Sequence, residues 1–396
     1  MTANVGMTFN WGAAVLHYIR QPVRLVRSYP RSSLRADIIA GMTVAVVALP
    51  NGIAFAVIAD LPPKMGLYAV IMGAIFGALW GASNQAVYGP ANAISLLVAA
   101  ALSETLPPGT TEFIIGAGLM AVMVGLFRLV MGLLRLGLLV NFVSHSVTVG
   151  FAAGAGLLIV IKQIGPLIGV HLNTANPFAM IQDLIGSWSL IHWPTFLLGS
   201  SGILFLILLR RVRPQAPAPL ILIALTTGLS IFLQLNEQGV AMIGEIPRSL
   251  PPLTAVSLWD LQLIARLSTG ALAVGAIGLV QTSAIVRSIA SQTGQRVDNN
   301  QEFVAQGMAN LAAGFFSGYP CAASFSRTAV NYRSGAKSPV AAIFSGLFVL
   351  FAMLVLAPLA VFLPVPVLAG LLIITAYGMI DKAEIKRIWQ GARGDA

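Results

Sequence analysis

Apolar segments long enough to cross a membrane recur along almost the whole chain. Each has about 18 to 25 residues, the length at which an α-helix spans a hydrocarbon core of about 30 Å. Helices suit a bilayer because they satisfy their own backbone hydrogen bonds. Charged residues make up only 9% of the sequence, against roughly 25% in an average soluble domain. The sequence therefore predicts an all-α polytopic membrane protein and argues against a soluble fold.

Breaks at proline, glycine and charge clusters divide the apolar sequence into about twelve predicted segments. Their limits are 36–59, 66–82, 88–104, 112–135, 138–163, 194–210, 217–235, 268–291, 302–318, 322–334, 339–363 and 364–380. The third and the tenth segments are short or interrupted. Residues 1–35 precede the first segment, and residues 381–396 follow the last.

The placement of basic residues gives these segments an orientation. The net charge is +10, and lysine and arginine concentrate in the cytoplasmic loops of membrane proteins. If the N-terminus is cytoplasmic, most of the 23 basic residues, Arg128 among them, fall in inside loops and ends. The residues expected outside are Lys64, Lys162, Arg248 and Arg266. We therefore expect a multi-pass inner-membrane protein whose two ends, 1–35 and 381–396, are cytoplasmic.

Two segments share a design that an ordinary membrane helix lacks. Val87–Leu102 and Gly318–Val330 each have a lead with glycine and proline, then small and hydroxyl residues, then a helix too short to cross alone. Both fit a half-helix that begins in mid-membrane after an extended lead. The tenth segment comes seven positions after the third, an odd offset, so equivalent segments of the two halves run in opposite directions. The pattern predicts an inverted repeat.

The two half-helix starts predict an anion site. A helix start exposes unpaired N–H groups and carries roughly half a positive charge, so two facing starts attract an anion. Ala91 and Asn92 begin the first, while Ser324, Ser326 and Arg327 open the second. Their hydroxyl and guanidinium donors suit carboxylate or oxyanion oxygens. In the alternative interpretation the arginine snorkels or pairs internally, and the small residues only let helices approach closely.

Four stretches resemble the sulfate permease (SulP) family of anion transporters. LPNGIAFAVIADLPPKMGLYAV begins at Leu49, and GASNQAVYGPANAISLL surrounds the third segment. NFVSHSVTVGFAAGAGLLI lies in the fifth segment. VDNNQEFVAQGMANLAAGFFSGYPCAASFSRTAVNYRSGAKSP covers the ninth and tenth segments and is the most specific match. The resemblance extends over essentially the whole chain.

The resemblance implies inverted seven-segment repeats, divided between a core domain at about 36–135 and 268–338 and a gate domain at about 138–235 and 339–380. It also implies a cytoplasmic STAS domain and a homodimer when the protein is full length. The sequence after residue 380 contains neither a further apolar segment nor a soluble domain. We therefore expect that the last membrane segments and the STAS domain are missing from this chain.

The resemblance also implies a substrate site between the third and tenth helices. Its residues would be Asn51, Phe55, Ala91, Asn92, Gln281, Ser324, Phe325, Ser326 and Arg327. Many members of the family have an acidic residue in the eighth segment, where this chain has Gln281. The amide removes an obvious proton or sodium carrier, although it still hydrogen-bonds a carboxylate or packs between helices.

The predicted function is secondary active transport of a small anion, such as sulfate, bicarbonate or a dicarboxylate, by proton- or sodium-coupled symport. The alternatives are a nucleobase symporter of the same architecture, an uncoupled anion channel and a protein that transports nothing. The sequence has no Walker loop, Ser-His-Asp order or cofactor fingerprint. Its four histidines lack the spacing of metal ligands. We therefore expect no enzyme activity, cofactor, metal or nucleic-acid partner; the expected partners are the anion, the coupling ion and the lipid bilayer.

Overall fold

The computed structural model describes residues 16, 18–137, 145–170, 182, 190–213, 216–246, 248–254, 256–378, 380 and 385–387. The helices in this part of the chain are α1 (Gln21–Arg27), α2 (Leu34–Ile58), α3 (Pro63–Trp80), α4 (Asn92–Ser103), α5 (Thr111–Leu133), α6 (His145–Ile168), α7 (Trp193–Val212), α8 (Ala218–Phe232), α9 (Leu261–Thr293), α10 (Asn299–Phe315), α11 (Phe325–Arg333), α12 (Val340–Ala360) and α13 (Val365–Tyr377). Two short strands, β1 (Tyr88–Gly89) and β2 (Ala322–Ala323), interrupt the helical pattern.

Each predicted segment contains one helix, in order from α2 to α13. In the described residues, seven helices are long and apolar enough to cross a membrane: α2, α3, α5, α6, α7, α9 and α12. Three shorter apolar helices are α4, α8 and α13, while α10 and α11 have 17 and 9 residues. A helical multi-pass membrane protein is therefore confirmed, whereas the number of crossings and the inverted repeat stay predictions.

Some of the predicted boundaries fall outside the described residues. These are residues 1–15 and 17 of the N-terminal segment, the start of the fifth segment at 138–144, and all of the 381–396 tail except 385–387. The eighth segment is longer than predicted, because α9 runs from residue 261 to residue 293. Asp260 caps its start by accepting the N–H of Leu263 at 3.0 Å, and Gly294 ends it in the left-handed region with φ +72°.

The two predicted leads pair with one another as a small antiparallel sheet. Tyr88 lies opposite Ala323, and Gly89 lies opposite Ala322. Each strand is followed within a few residues by a half-helix, α4 after β1 and α11 after β2. The extended leads are confirmed, and the regular structure of the described residues is otherwise helical apart from one isolated bridge between Met242 and Pro364.

Helices α5 and α10 pack closely on one another, and each contacts the second lead at Cys321. A Cβ on Gly125 would lie 2.8 Å from the backbone nitrogen of Leu311, and one on Gly307 would lie 2.8 Å from the backbone nitrogen of Leu129. The two backbones are thus in direct contact, as small residues permit in membrane helices.

Most of the buried apolar side chains belong to one of two clusters. The first joins α4, α5, α9 and α10 with the leads and includes Ile94, Phe113, Leu267, Ala309 and Tyr319. The second joins α6, α7, α8, α12 and α13. Helices α2 and α3 contribute to both clusters, and α12 packs against them, whereas α13 packs against α6 and α7.

Candidate functional site

The pairing of the strands brings the starts of the two half-helices together. Ala91 is the N-cap residue of α4 and Ser324 that of α11; both have extended backbones and neither makes a side-chain capping hydrogen bond. The backbone N–H of Ser324 donates to the carbonyl of Val87 at 3.0 Å, which ties the second start to the first lead. The first-turn N–H groups of both helices therefore lie close to the paired leads without a side-chain cap from the N-cap residue.

Arg327 lies completely buried between these starts. Its Nη2 donates to the carbonyl oxygen of Pro90 at 2.6 Å, so the second half-helix contacts the first lead. Its Nε and Nη1 have no hydrogen-bond partner among the described residues. The side chain is thus held at one nitrogen and leaves two donors available.

Gly89 makes room for this guanidinium. A Cβ at Gly89 would lie 2.8 Å from Nη1 of Arg327, and the residue has φ +147°. L-residues with a side chain rarely adopt that conformation. Glycine is therefore required here both by the backbone and by the approach of Arg327.

The other predicted residues of the second start differ in their exposure to solvent. Ser324 is buried, whereas Phe325 has 62% of its surface exposed and Ser326 is exposed. The hydroxyls of Ser324 and Ser326 lie 3.3 Å apart. The arginine is thus buried behind a helix start whose first residues are accessible.

Gln281 is hydrogen-bonded to the second lead. Its Nε2 donates to the carbonyl of Ala323 at 3.3 Å. The neighbouring Thr282 accepts the N–H of the same Ala323 at 3.1 Å. Helix α9 therefore holds β2 through both polar groups of one residue.

The remaining predicted residues lie on adjacent helices. Asn51 and Phe55 are buried on α2, which packs against both half-helices. Ala91 is buried and Asn92 half-buried at the start of α4. The structure thus groups the residues of the half-helix starts and places Asn51 and Phe55 on a helix beside them.

A second arginine of the site was missed by the sequence analysis. Arg128 was assigned to an inside loop, but it is completely buried in α5. Its Nη1 donates to the carbonyl of Cys321 at 2.6 Å, its Nη2 to Val274 at 3.1 Å and its Nε to Gly275 at 3.2 Å. The available signal was its position well inside an apolar segment, where an unneutralised arginine needs partners.

Glu302 is the other functional candidate that the sequence did not reveal. It is buried with 1% exposed surface at the start of α10, and it accepts the N–H of Ala82 at 2.9 Å and the hydroxyl of Tyr88. A carboxylate near a helix start predicts capping. The structure gives that role to Asp298, which accepts the N–H of Asn300 at 2.8 Å.

Further polar contacts fix the second lead and the first half-helix. Asn310 both donates to the carbonyl of Cys321 and accepts its N–H, each at 2.9 Å. The hydroxyls of Ser95 and Tyr319 lie 2.9 Å apart. Among the described residues, no cluster of three or more His, Cys, Asp or Glu side chains could hold a metal ion.

Solved structures of membrane transporters share this fold. The transmembrane domain of a cyanobacterial bicarbonate transporter, BicA, superposes with a TM-score of 0.84 at 25% identity, covering 91% of each chain. The murine anion transporter Slc26a9 in its inward-facing state superposes with a TM-score of 0.87 at 22% identity, covering 100% of this chain and 68% of that chain.

Curated relatives are similar in sequence. The probable sulfate transporter MT1781 of Mycobacterium tuberculosis (strain CDC 1551 / Oshkosh) is 33% identical over 93% of this chain and 66% of its own length. The chloroplastic sulfate transporter 4.1 of Arabidopsis thaliana is 31% identical over 94% of this chain and 55% of its own length. The chain therefore spans less than two thirds of the length of these relatives.

The family model described as the sulfate permease family matches residues 34–396, from the start of α2 onward. The matched region contains both half-helices, both leads and both buried arginines. The family and the similar proteins are transporters and not enzymes. The earlier resemblance is confirmed, and the chain belongs to the sulfate permease family.

Proposed function

We propose that this chain forms the membrane part of a secondary active transporter that binds a small anion between the starts of α4 and α11. Sulfate, bicarbonate and small dicarboxylates are the candidate substrates. The names of the relatives support the first two, since they include sulfate transporters and a bicarbonate transporter.

The observation that carries this proposal is the incomplete hydrogen bonding of Arg327. Its Nε and Nη1 are buried and without partners in the described part of the chain. An uncompensated buried charge is costly by several kcal/mol, whereas an anion would accept hydrogen bonds from both nitrogens and offset the charge. The uncapped first turns of α4 and α11 add N–H donors and the positive ends of two helix dipoles.

The same observation favours an anion over a nucleobase. A neutral nucleobase would accept a hydrogen bond from the guanidinium but leave its charge uncompensated. Gln281, which donates to the backbone of β2, supplies no negative charge to balance Arg327. We therefore favour an anion, and the transport experiment below tests the nucleobase alternative by measuring nucleobase uptake.

The proposed mechanism is alternating access, in which a core domain carries the site against a gate domain. The core would contain 36–135 and 268–338, and the gate 138–235 and 339–380. Because α12 packs against α2 and α3, we assign α12 to the core domain and only α13 of the 339–380 region to the gate domain. We further propose an inner-membrane location, a cytoplasmic N-terminus, proton or sodium coupling, and a homodimer of the full-length protein.

Anion binding tests the proposal directly. The purified chain is titrated with sulfate, bicarbonate and a dicarboxylate panel, and the Kd is measured calorimetrically for the wild type, Arg327→Gln and Arg333→Gln. Arg333 is the matched control because it is an exposed arginine of the same half-helix. We expect Arg327→Gln to weaken binding at least about tenfold and Arg333→Gln to bind as the wild type does.

Equal affinity in the wild type and Arg327→Gln would reject the assigned role of Arg327. Transport is then measured on the full-length protein in proteoliposomes, with and without an inward proton or sodium gradient. Anion uptake that rises with one gradient supports the symporter and identifies its coupling ion. Uptake that ignores both gradients indicates a channel, and uptake of nucleobases alone rejects the anion proposal.

A further inference from the structure

The segment before the first half-helix is held from the opposite half of the chain by one buried carboxylate. Oε2 of Glu302 accepts the N–H of Ala82 at 2.9 Å and that of Ser83 at 3.3 Å. Its Oε1 accepts the hydroxyl of Tyr88. All these donors precede α4, whereas Glu302 belongs to α10, so the contact joins two parts of the chain more than two hundred residues apart.

Tyr88 is also fixed from its other side. A Cβ at Gly77 would lie 2.2 Å from the ring carbon Cδ2 of Tyr88, so the tyrosine ring packs directly on the backbone of α3. The ring is completely buried. The position of Tyr88 is therefore determined by packing at the ring and by Glu302 at the hydroxyl.

The residues after Tyr88 are those that meet the guanidinium. Gly89 leaves the space that Arg327 occupies, and the carbonyl of Pro90 is the acceptor for its Nη2 at 2.6 Å. A shift of Tyr88 along the strand would displace both residues. Since this acceptor holds the guanidinium at one nitrogen, its displacement would change the directions of Nε and Nη1.

We propose that Glu302 is a positioning residue of the anion site, which acts through the hydroxyl of Tyr88 to set where Gly89 and Pro90 meet Arg327. The inference rests on the proposed function, because it names a residue that organises the same site. Glu302 itself contacts the first lead and does not need to contact the anion. Its loss therefore changes anion affinity through the pose of Arg327.

A double-mutant cycle separates this role from a general contribution to stability. Tyr88→Phe removes only the hydroxyl, and Glu302→Gln keeps the size of the side chain while it replaces one accepting carboxylate oxygen with an amide group that donates. Sulfate and bicarbonate binding is titrated on the folded fraction of the wild type, of each single variant and of the double variant. Thermal unfolding is recorded for every variant in parallel.

We expect each single variant to raise the Kd by about tenfold, and the double variant to raise it no further. In an Arg327→Gln background, Tyr88→Phe is expected to leave the residual affinity unchanged, since the residue that it positions is absent. Maximal uptake by the single variants should fall less than their KM rises. A purely structural role would lower the unfolding temperature and leave the Kd of the folded fraction at the wild-type value.

Tyr29→Phe is the matched control. Tyr29 also donates its hydroxyl to a carboxylate, that of Asp37, at 3.0 Å. Burial and the neighbouring carboxylate raise the pKa of Tyr29 to about 12, so the hydroxyl keeps its proton as a donor. Because this bond lies away from both leads, its removal should leave the Kd unchanged.

The outcomes distinguish this inference from the function on which it rests. Wild-type affinity in Tyr88→Phe, together with lost affinity in Arg327→Gln, would overturn the role of Glu302 alone. Additive effects of the two single variants would also overturn it, because the residues would then act separately. If the wild type binds neither sulfate nor bicarbonate nor any member of the dicarboxylate panel, both the proposed function and the inference are rejected.

Discussion

Two buried arginines of this protein differ in how many of their nitrogens have partners. Arg128 and Arg327 are both completely buried, and both contact a lead. Arg128 of the first half donates to Cys321 beside β2, whereas Arg327 of the second half donates to Pro90 beside β1. All three guanidinium nitrogens of Arg128 donate to backbone carbonyls, but only Nη2 of Arg327 does.

Under the proposed function, this difference distinguishes an arginine that stabilises the fold from an arginine that binds the anion. Buried polar groups are almost always paired in folded proteins, so an unpaired one needs an explanation. Arg128 uses its donors to hold α9 and the second lead in place. Arg327 is buried to the same extent, but its Nε and Nη1 have no hydrogen-bond partner among the described residues. These two donors are available to an anion.

Replacement of Arg128 is expected to have the largest effect. Arg128→Leu removes three hydrogen bonds by which a charged donor of α5 holds α9 and the second lead, and a hydrogen bond to a charged group contributes about 1.5 to 3 kcal/mol. We expect a loss of about 3 kcal/mol or more in the free energy of unfolding. Thermal unfolding in detergent measures it, and a variant as stable as the wild type would contradict the structural role.

Replacement of Arg327 should weaken anion binding without lowering the stability of the anion-free protein. Arg327→Met removes a buried charge with two unpartnered nitrogens, so unfolding without an anion should occur at the same temperature or higher. The wild type should gain about 2.7 kcal/mol of stability when the anion is present at about 100 times its Kd, and the variant, whose Kd is at least about tenfold higher, should gain about 1.4 kcal/mol or less. Stabilisation of the variant equal to that of the wild type would mean that the anion binds elsewhere.

Regular features of the fold could be predicted from the sequence because their signals are local. Apolar length located α2 to α13, and the glycine and proline of the leads located the interrupted helices. The start of α9 was placed too late, because polar residues such as Gln262 and Arg266 shorten the apolar window although the helix continues through them.

The site was predictable only where its residues carry their own signal. Arg327 stands out as a charge in an apolar segment, and Ser324 stands at a recognisable helix start. The contacts of Arg128, Thr282 and Glu302 were missed because most of their partners are backbone groups of distant segments. Such partners leave no pattern in the nearby sequence.

One glycine lies beside each buried arginine, and its replacement by alanine tests how tightly the guanidinium is packed. A Cβ at Gly278 would lie 1.7 Å from Nη2 of Arg128, whereas one at Gly89 would lie 2.8 Å from Nη1 of Arg327. We expect Gly278→Ala to lower the free energy of unfolding by about 2 kcal/mol. Gly89→Ala should weaken anion binding about tenfold and also lower stability, because the backbone at φ +147° disfavours any side chain.

Gly228→Ala is the control for both glycine variants, because a Cβ there would meet nothing within 4 Å. It should retain the anion affinity and the unfolding temperature of the wild type, with at most a small gain from the better helix propensity of alanine. Binding lost in Gly278→Ala without loss of stability would reverse the assigned roles of the two arginines.

The smallest expected effect sharpens the comparison at Gln281. Its amide donates to the carbonyl of Ala323 beside the second start, so Gln281→Glu can keep that bond only while its carboxyl is protonated. Once ionised, the carboxylate repels both the carbonyl and a bound anion and offers Arg327 a competing negative charge. Anion affinity of the variant should therefore fall about threefold or more as rising pH ionises the carboxyl.

The control is Gln292→Glu, an exposed change on the same helix, whose anion affinity should show no such dependence on pH. A pH-independent Kd in Gln281→Glu would place residue 281 outside the electrostatic reach of the anion and leave Arg327 as its charged contact.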